Sequence, residues 1–349
     1  MKKKYLINLI KYHSEDNDAG FRNEAYEIAK GFDASGDYQL AEYIMALLSN
    51  ANTFMPQMNE NESPFLEKMD PKGDMLILPD AIMQDLLGIV NAISHNVGIN
   101  KFLLQGAPGT GKTEAVKHLA RILERDIYMV DFAAVVDSKL GQTPKNISSL
   151  FKEINNFAHP EKVIVLFDEI DAVALDRTDS RDLREMGRAT SAMLKGMDYL
   201  DERVVLVATT NLFEHFDKAL VRRFDSVVSF DRYTQEDLMR VSEEMLNKFL
   251  TKFKLANKDV RLFRKIMGLL SPMPCPGDLK NMIKTAVAFS DPDDGMDYFR
   301  RLYYAVCGEK PEDLVKLQSQ KFTVREIEIL AQKSKSSVAR ELKGAGENE

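Results

Sequence analysis

Residues 101–113 read Lys101-Phe102-Leu103-Leu104-Gln105-Gly106-Ala107-Pro108-Gly109-Thr110-Gly111-Lys112-Thr113. A short apolar run leads into the pattern G-x-x-x-x-G-K-[ST], the setting in which a strand ends, a loop wraps a phosphate and a helix begins. Glycines in such a loop let the backbone curl until its N–H groups point inward at an anion. The helix opening at Lys112 adds the positive end of its dipole. The stretch Gly106, Ala107, Pro108, Gly109, Thr110, Gly111, Lys112, Thr113 and Glu114 is therefore the expected nucleotide-binding segment. Lys112 is expected to reach the β and γ phosphates, and the Thr113 hydroxyl to hold Mg²⁺.

From this loop outward, strands and helices alternate. Strands are expected at 102–105, 127–131, 163–167, 204–209 and 227–230, and helices at 113–123, 146–158 and 183–197. The strands are continuous Val/Ile/Leu runs, as buried parallel strands are. Such alternation predicts an α/β fold with a doubly wound parallel sheet. After Asp231 the strand signals stop, and helices are expected at 235–250, 258–270, 278–289, 297–306, 312–318, 324–331 and 336–342.

A second apolar strand ends in acids: Val163-Ile164-Val165-Leu166-Phe167-Asp168-Glu169-Ile170-Asp171. A buried strand delivers its last side chains to the carboxyl edge of the sheet, where ligands bind. Asp168 is expected to hold Mg²⁺ through water, and Glu169 to orient and polarise the attacking water. A solvated acidic turn is the plain alternative, weakened by the phosphate loop upstream. Val205-Leu206-Val207-Ala208-Thr209-Thr210-Asn211 is a further strand with a polar end, from which Asn211 is positioned to sense the γ-phosphate or merely to form a turn. Arg222 and Arg223, in Ala219-Leu220-Val221-Arg222-Arg223-Phe224-Asp225, are either solvated surface or an arginine finger supplied in trans.

These four stretches in this order resemble the AAA family (AAA+) of ATPases over about residues 75–306, among them compact prokaryotic and phage members. The Arg-Arg-Phe form is similar to that of the microtubule-severing members. The resemblance implies a P-loop NTPase core followed by an all-helical lid, ATP and Mg²⁺ as ligands, and ATP hydrolysis. It implies Asn211 as sensor 1, Arg222 and Arg223 acting on a neighbour's nucleotide, and a homo-oligomeric ring, a hexamer by analogy. Two positions depart from the family. Lys139, in Lys139-Leu140-Gly141, stands where remodelling members carry a pore-loop aromatic; its aliphatic stem still reaches substrate but stacking is lost. Pro276-Gly277-Asp278-Leu279-Lys280 resembles the Gly-Ala-Asp-Leu stretch of the lid, with no sensor-2 arginine and Lys280 as a stand-in.

The expected organisation is an N-terminal helical docking region at 1–50, containing a helical hairpin, then a linker at 51–75, the ATPase core at 76–232, the lid at 233–308 and a helical tail at 309–349. The hairpin packs on the next domain or docks a partner. The tail, Thr323 to Leu342, resembles a helix-turn-helix, although Glu328, Gln332 and Lys333 replace a small residue, a turn glycine and a buried aliphatic. A hairpin that closes the lid is the other reading.

The chain has 349 residues, a net charge of −7 and two cysteines, Cys275 and Cys307, without metal-ligand neighbours. This composition suggests a cytoplasmic protein with no membrane insertion and no disulfide framework. The acidic balance opposes bulk nucleic-acid binding but leaves a local basic patch available. No H-E-x-x-H or G-x-S-x-G is present, so any proteolysis requires a separately encoded protease partner. Two functions follow: an ATP-hydrolysing ring that remodels or regulates a protein client, or a DNA-associated ATP switch that uses the tail.

Overall fold

In the computed structural model, residues 3–15, 17–48, 63–73, 77–95, 97–136, 141–171, 182–253 and 258–346 are described. The chain divides into two units, Met1–Pro64 and Phe65–Glu349.

The first unit is helical, with α1 (Lys3–Ser14), α2 (Asp18–Ala34) and α3 (Tyr38–Leu48). The Asn17 side chain caps α2 by accepting from the Gly20 N–H at 2.9 Å. Small residues, Ala25, Ala29 and Ala41, make its buried seam with Ile28. Asn8 donates to Glu24 at 2.9 Å and ties α1 to α2.

The second unit is built on β1 (Leu66–Met69), β2 (Lys101–Gln105), β3 (Asp126–Val130), β4 (Val163–Phe167), β5 (Val205–Thr210) and β6 (Ser226–Ser229). The sheet order is β1-β3-β4-β5-β2-β6. All pairings are parallel except β1 with β3. Strand β1 falls inside the stretch expected to be a linker. It pairs Leu66 with Val130 and Met69 with Ile127, and the Lys68–Asp126 ion pair at 3.0 Å fastens its edge. With only four residues and two charges, it offers no periodicity to read.

Helices cover both faces, which explains the unbroken apolar strands. Every residue of β4 and β5 is buried. Their side chains divide with period two. Val163, Val165 and Phe167 enter one core with Leu206 and Ala208, whereas Ile164 and Leu166 enter the other with Val205 and Val207. The first core lies beneath α6 (Phe132–Val135), α7 (Gln142–Asn155) and α8 (Asp182–Asp198); the second lies beneath α4 (Asp80–Ser94) and α5 (Lys112–Leu123). Phe167, the last residue of β4, is fully buried and edge-packed by Phe132 at 5.7 Å and Phe151 at 5.9 Å. Truncating such a ring costs about 3–5 kcal/mol. The rigid seat under Phe167 fixes where the acids that follow it emerge.

The short helix α9 (Lys218–Val221) precedes β6. Beyond β6, α10 (Gln235–Phe253), α11 (Val260–Met267), α12 (Pro276–Ala288), α13 (Asp297–Cys307), α14 (Leu314–Ser319), α15 (Val324–Ala331) and α16 (Lys335–Gly346) share one core. Ile327, Leu330 and Val338, from the stretch read as a separate tail, belong to that core. Thr323 and Glu326 form a capping box at the start of α15. Gln332 takes the left-handed conformation (φ 52, ψ 35) that the expected turn glycine would supply. Lys333 is only partly buried and pairs with Glu341 at 2.6 Å.

Candidate active site

The phosphate loop bends as its glycines require: Gly106, Gly109 and Gly111 have φ of 148, 77 and 99. Gly111 caps α5, and Lys112 begins it. The Lys112 ammonium donates to the carbonyls of Gly106 (2.7 Å) and Ala107 (2.9 Å) and to Asn211 Oδ1 (2.7 Å). Burial lowers the Lys112 pKa from its ordinary value; Asp231, Asp168, Asp171 and Glu169 oppose the shift. Those acids keep the nearly buried Lys112 charged, and its ammonium is the group expected to meet a polyphosphate.

Asp168 and Glu169 leave β4 at the same sheet edge. The Thr113 hydroxyl lies 3.2 Å from each Asp168 carboxylate oxygen. Glu169 is left-handed (φ 51), which turns its side chain toward the cavity. Asn211 Nδ2 approaches Glu169 Oε1 at 3.4 Å, so one amide spans Lys112 and Glu169. The buried Asp171 accepts from the Thr210 hydroxyl and from the Asn211 N–H at 3.0 Å, which fixes the Asn211 backbone.

These groups border a cavity of about 720 Å³. Its lining includes 108–114, Asp168, Glu169, Thr209 and Asn211 on the sheet side, and Val241, Met245, Pro276, Gly277 and Lys280 from the lid. Gly106 and Ala107 contribute through their contacts with Lys112, and Glu114 pairs with Lys117 at 2.9 Å. Ile77, Tyr233, Val241 and Met245 add apolar surface to the lining, of the kind a base needs. Burial pushes the Tyr233 hydroxyl well above its ordinary pKa; it donates to the Thr110 carbonyl at 2.9 Å.

Thr113 and Asp168 offer hard oxygen ligands, which suit Mg²⁺. Among the described residues no group of three His, Cys, Asp or Glu side chains could hold a metal ion. A divalent cation here would therefore complete its shell with phosphate oxygens and water, as Mg²⁺ does in nucleotide sites.

Arg222 and Arg223 do not join this cleft. They precede β6 at the edge where the parallel strands begin, and Asp225 Oδ2 anchors them by accepting from the N–H groups of Asn100 and Lys101 at 2.9 Å. The phosphate loop leaves the other end of β2, five residues or roughly 16 Å away. Arg222 is exposed; Arg223 is held by Asp198 at 3.1 Å. The pore-loop stretch at 137–140, with Lys139, lies outside the described residues.

Four contributors had no assigned role in the sequence. Thr209 and Tyr233 line the cavity, Asp231 accepts from the Ala107 N–H at 2.7 Å, and Gly277 meets the loop backbone. Thr209 was visible only as part of the polar strand end. Asp231 carries no local signal, and Gly277 was visible only as part of the lid stretch 276–280, because their partners are more than a hundred residues away.

Comparison with known proteins agrees with this geometry. Residues 102–232 match the family model "ATPase family associated with various cellular activities (AAA)". The AAA family ATPase y4kL of Sinorhizobium fredii is 32% identical over 183 residues, 50% of this chain and 54% of that protein. The proteasome-activating nucleotidase 1 of Halobacterium salinarum is 32% identical over 165 residues, 44% of this chain and 40% of that protein. The chain thus spans about half, or less, of these relatives. In fold it is similar to a chain of the E. coli MS115-1 HORMA:CdnC:Trip13 complex (TM-score 0.56, 18% identity, 70% of this chain and 96% of that one). It is also similar to the FIGL-1 AAA domain in complex with ADP (TM-score 0.51, 18% identity, 71% and 91%). A phosphate loop, an acid-tipped strand and a polar-tipped strand meet at one sheet edge under a helical lid: residues 102–232 are an ATPase domain of the AAA family.

Proposed function

We propose that this chain hydrolyses ATP in the cleft between the 106–113 loop and the lid, works as a ring of copies, and uses turnover to remodel a protein client. The observation that supports this most is the convergence of Lys112, Thr113, Asp168, Glu169 and Asn211 on one cavity, with Arg222 and Arg223 at the opposite edge of the same sheet.

In this reading Lys112 gives up its carbonyl contacts to bind the β and γ phosphates. Thr113 and Asp168 would hold Mg²⁺, which would neutralise phosphate charge when bound. Glu169 accepts a proton from the water that attacks the γ-phosphorus, the bond to the β–γ bridging oxygen breaks, and ADP and phosphate leave. Asn211 orients the water. Lys112 is a cationic side chain already bonded within the phosphate end. Arg222 and Arg223 of a neighbouring copy would supply further positive charge to the transition state, most simply in a hexamer. The protein client, and a separately encoded protease as partner, are read from relatives named as proteasome-activating nucleotidases.

The test is to purify Glu169→Gln protein with ATP and Mg²⁺ and identify what accompanies it. A specific protein in a ring-sized fraction supports the remodelling reading. Nucleic acid released by salt favours the DNA-bound switch. A monomer that turns over ATP at the rate of the unmodified chain removes both the ring and the assigned base.

A further inference from the structure

One residue of β5 holds three consecutive residues of the acidic turn. The Thr209 hydroxyl accepts the Glu169 N–H at 2.9 Å. The Thr209 carbonyl accepts the Ile170 N–H at 3.1 Å. An N–H can only donate, so the hydroxyl hydrogen is directed elsewhere, and it meets Asp168 Oδ1 at 2.6 Å. Thr209 is 1% exposed, so no bulk water competes for these bonds.

We propose that Thr209 is the positioning residue that sets the two reaction acids relative to each other. The inference rests on the ATP-hydrolysis reading of the cleft. Its hydroxyl occupies one face of Asp168 Oδ1 and thereby turns the remaining lone pairs of the carboxylate toward Thr113, where the metal ligands are needed. The same oxygen secures the Glu169 N–H, and the carbonyl secures the next. Together they hold Glu169 left-handed (φ 51), a conformation that costs a non-glycine residue free energy and persists where surrounding bonds over-determine it. An extended Glu169 would carry its carboxylate away from the cavity and from Asn211. Thr209 therefore couples the metal ligand and the base through a single side chain. Thr210, next in the strand, points to the opposite face and serves Asp171 instead.

The experiment compares Thr209→Val, which keeps the shape and loses the hydroxyl, with Thr209→Ser, which keeps the hydroxyl and loses the methyl. Three quantities are measured on the full chain: kcat and KM for ATP, the Mg²⁺ dependence of binding a fluorescent ADP analogue, and the melting temperature. Thr209→Val is expected to lower kcat roughly 10- to 100-fold, the scale of one charge-assisted hydrogen bond. It should raise the half-saturating Mg²⁺ concentration about as much, and leave Mg²⁺-free nucleotide binding unchanged. Thr209→Ser is expected to restore kcat and the Mg²⁺ requirement. Wild-type behaviour of Thr209→Val, or equal losses in both variants, overturns the proposal. Failure of Thr209→Val alone to fold also overturns it, since the hydroxyl then serves the fold. If the unsubstituted chain turns over no ATP, the reading of the cleft has failed; if it does and Thr209→Val matches it, only this inference has.

Discussion

The Gly277 N–H donates to the Gly109 carbonyl at 2.8 Å, so the first turn of α12 rests directly on the phosphate loop. A Cβ on Gly277 would stand 2.9 Å from Gly109 Cα and 3.2 Å from its oxygen. Both are backbone atoms and cannot swing aside. The position of the lid is thereby tied to the loop that holds phosphate.

Gly277→Ala is accordingly expected to force the lid off the loop. Overpacking of this kind costs about 1–3 kcal/mol. Urea unfolding of the ligand-free protein checks the stability loss. An unchanged midpoint and slope would mean that α12 is free to shift without cost.

Lys112→Ala leaves the Gly106 and Ala107 carbonyls and Asn211 Oδ1 without their shared donor and deletes the buried cation. Each charge-assisted bond to phosphate is worth about 1.5–3 kcal/mol, so ATP affinity should fall roughly 10- to 100-fold or more. Titration with a fluorescent ATP analogue measures this. Affinity within threefold of the unmodified chain would remove Lys112 from the phosphate site.

Arg223→Ala is expected to abolish most ATPase activity while leaving Thr113, Asp168 and Glu169 undisturbed, because it lies at the other sheet edge. Mixed with Lys112→Ala protein, it should recover activity above the sum of the two alone. Each kind of subunit then supplies what its neighbour lacks. Strictly additive rates over a range of mixing ratios would rule out action in trans.

Glu326 gives a pH test within the lid. Its side chain is 6% exposed and meets Lys265 at 2.5 Å and the Thr323 N–H at 2.6 Å. Burial works to raise this carboxyl, but Lys265 and the Thr323 bonds outweigh it and hold the pKa below the usual value. The folded chain therefore binds this proton less tightly than the unfolded chain does. The stabilisation is complete above the unfolded value of about 4.3 and is lost as pH falls through the folded value. Glu326→Gln should cost about 1–3 kcal/mol at pH 7, and the gap should close progressively below about pH 4.3. An equal gap at pH 7 and pH 3 would show that the charge contributes nothing.

Much of this protein is written in contiguous stretches. The loop from Gly106 to Thr113, the acid-tipped β4 and the polar-tipped β5 are each legible because chemistry and secondary structure need adjacent residues there. The five central strands and most helices fall within a few residues of their expected bounds for the same reason: burial on two faces leaves an unbroken apolar run, and burial on one leaves helical spacing. Strand β1 was illegible because four residues with Glu67 and Lys68 among them acquire meaning only beside β3. The tail was open to two readings, a helix-turn-helix or a hairpin that closes the lid, and Ile327, Leu330 and Val338 lie in the core of the lid.

The residues in their linear order fixed which side chains the proposed site would offer to phosphate, metal and water, and the order in which a parallel sheet brings them to one edge. How they are held is set by contacts between elements far apart in the chain. Thr209 reaches Asp168 and Glu169 across about forty residues, Asp231 reaches Ala107 across 124, and Gly277 settles on Gly109 from another core altogether. Such contacts leave no periodic trace, because one hydroxyl, one carboxylate or one missing Cβ at the right point in space is compatible with almost any local pattern around it.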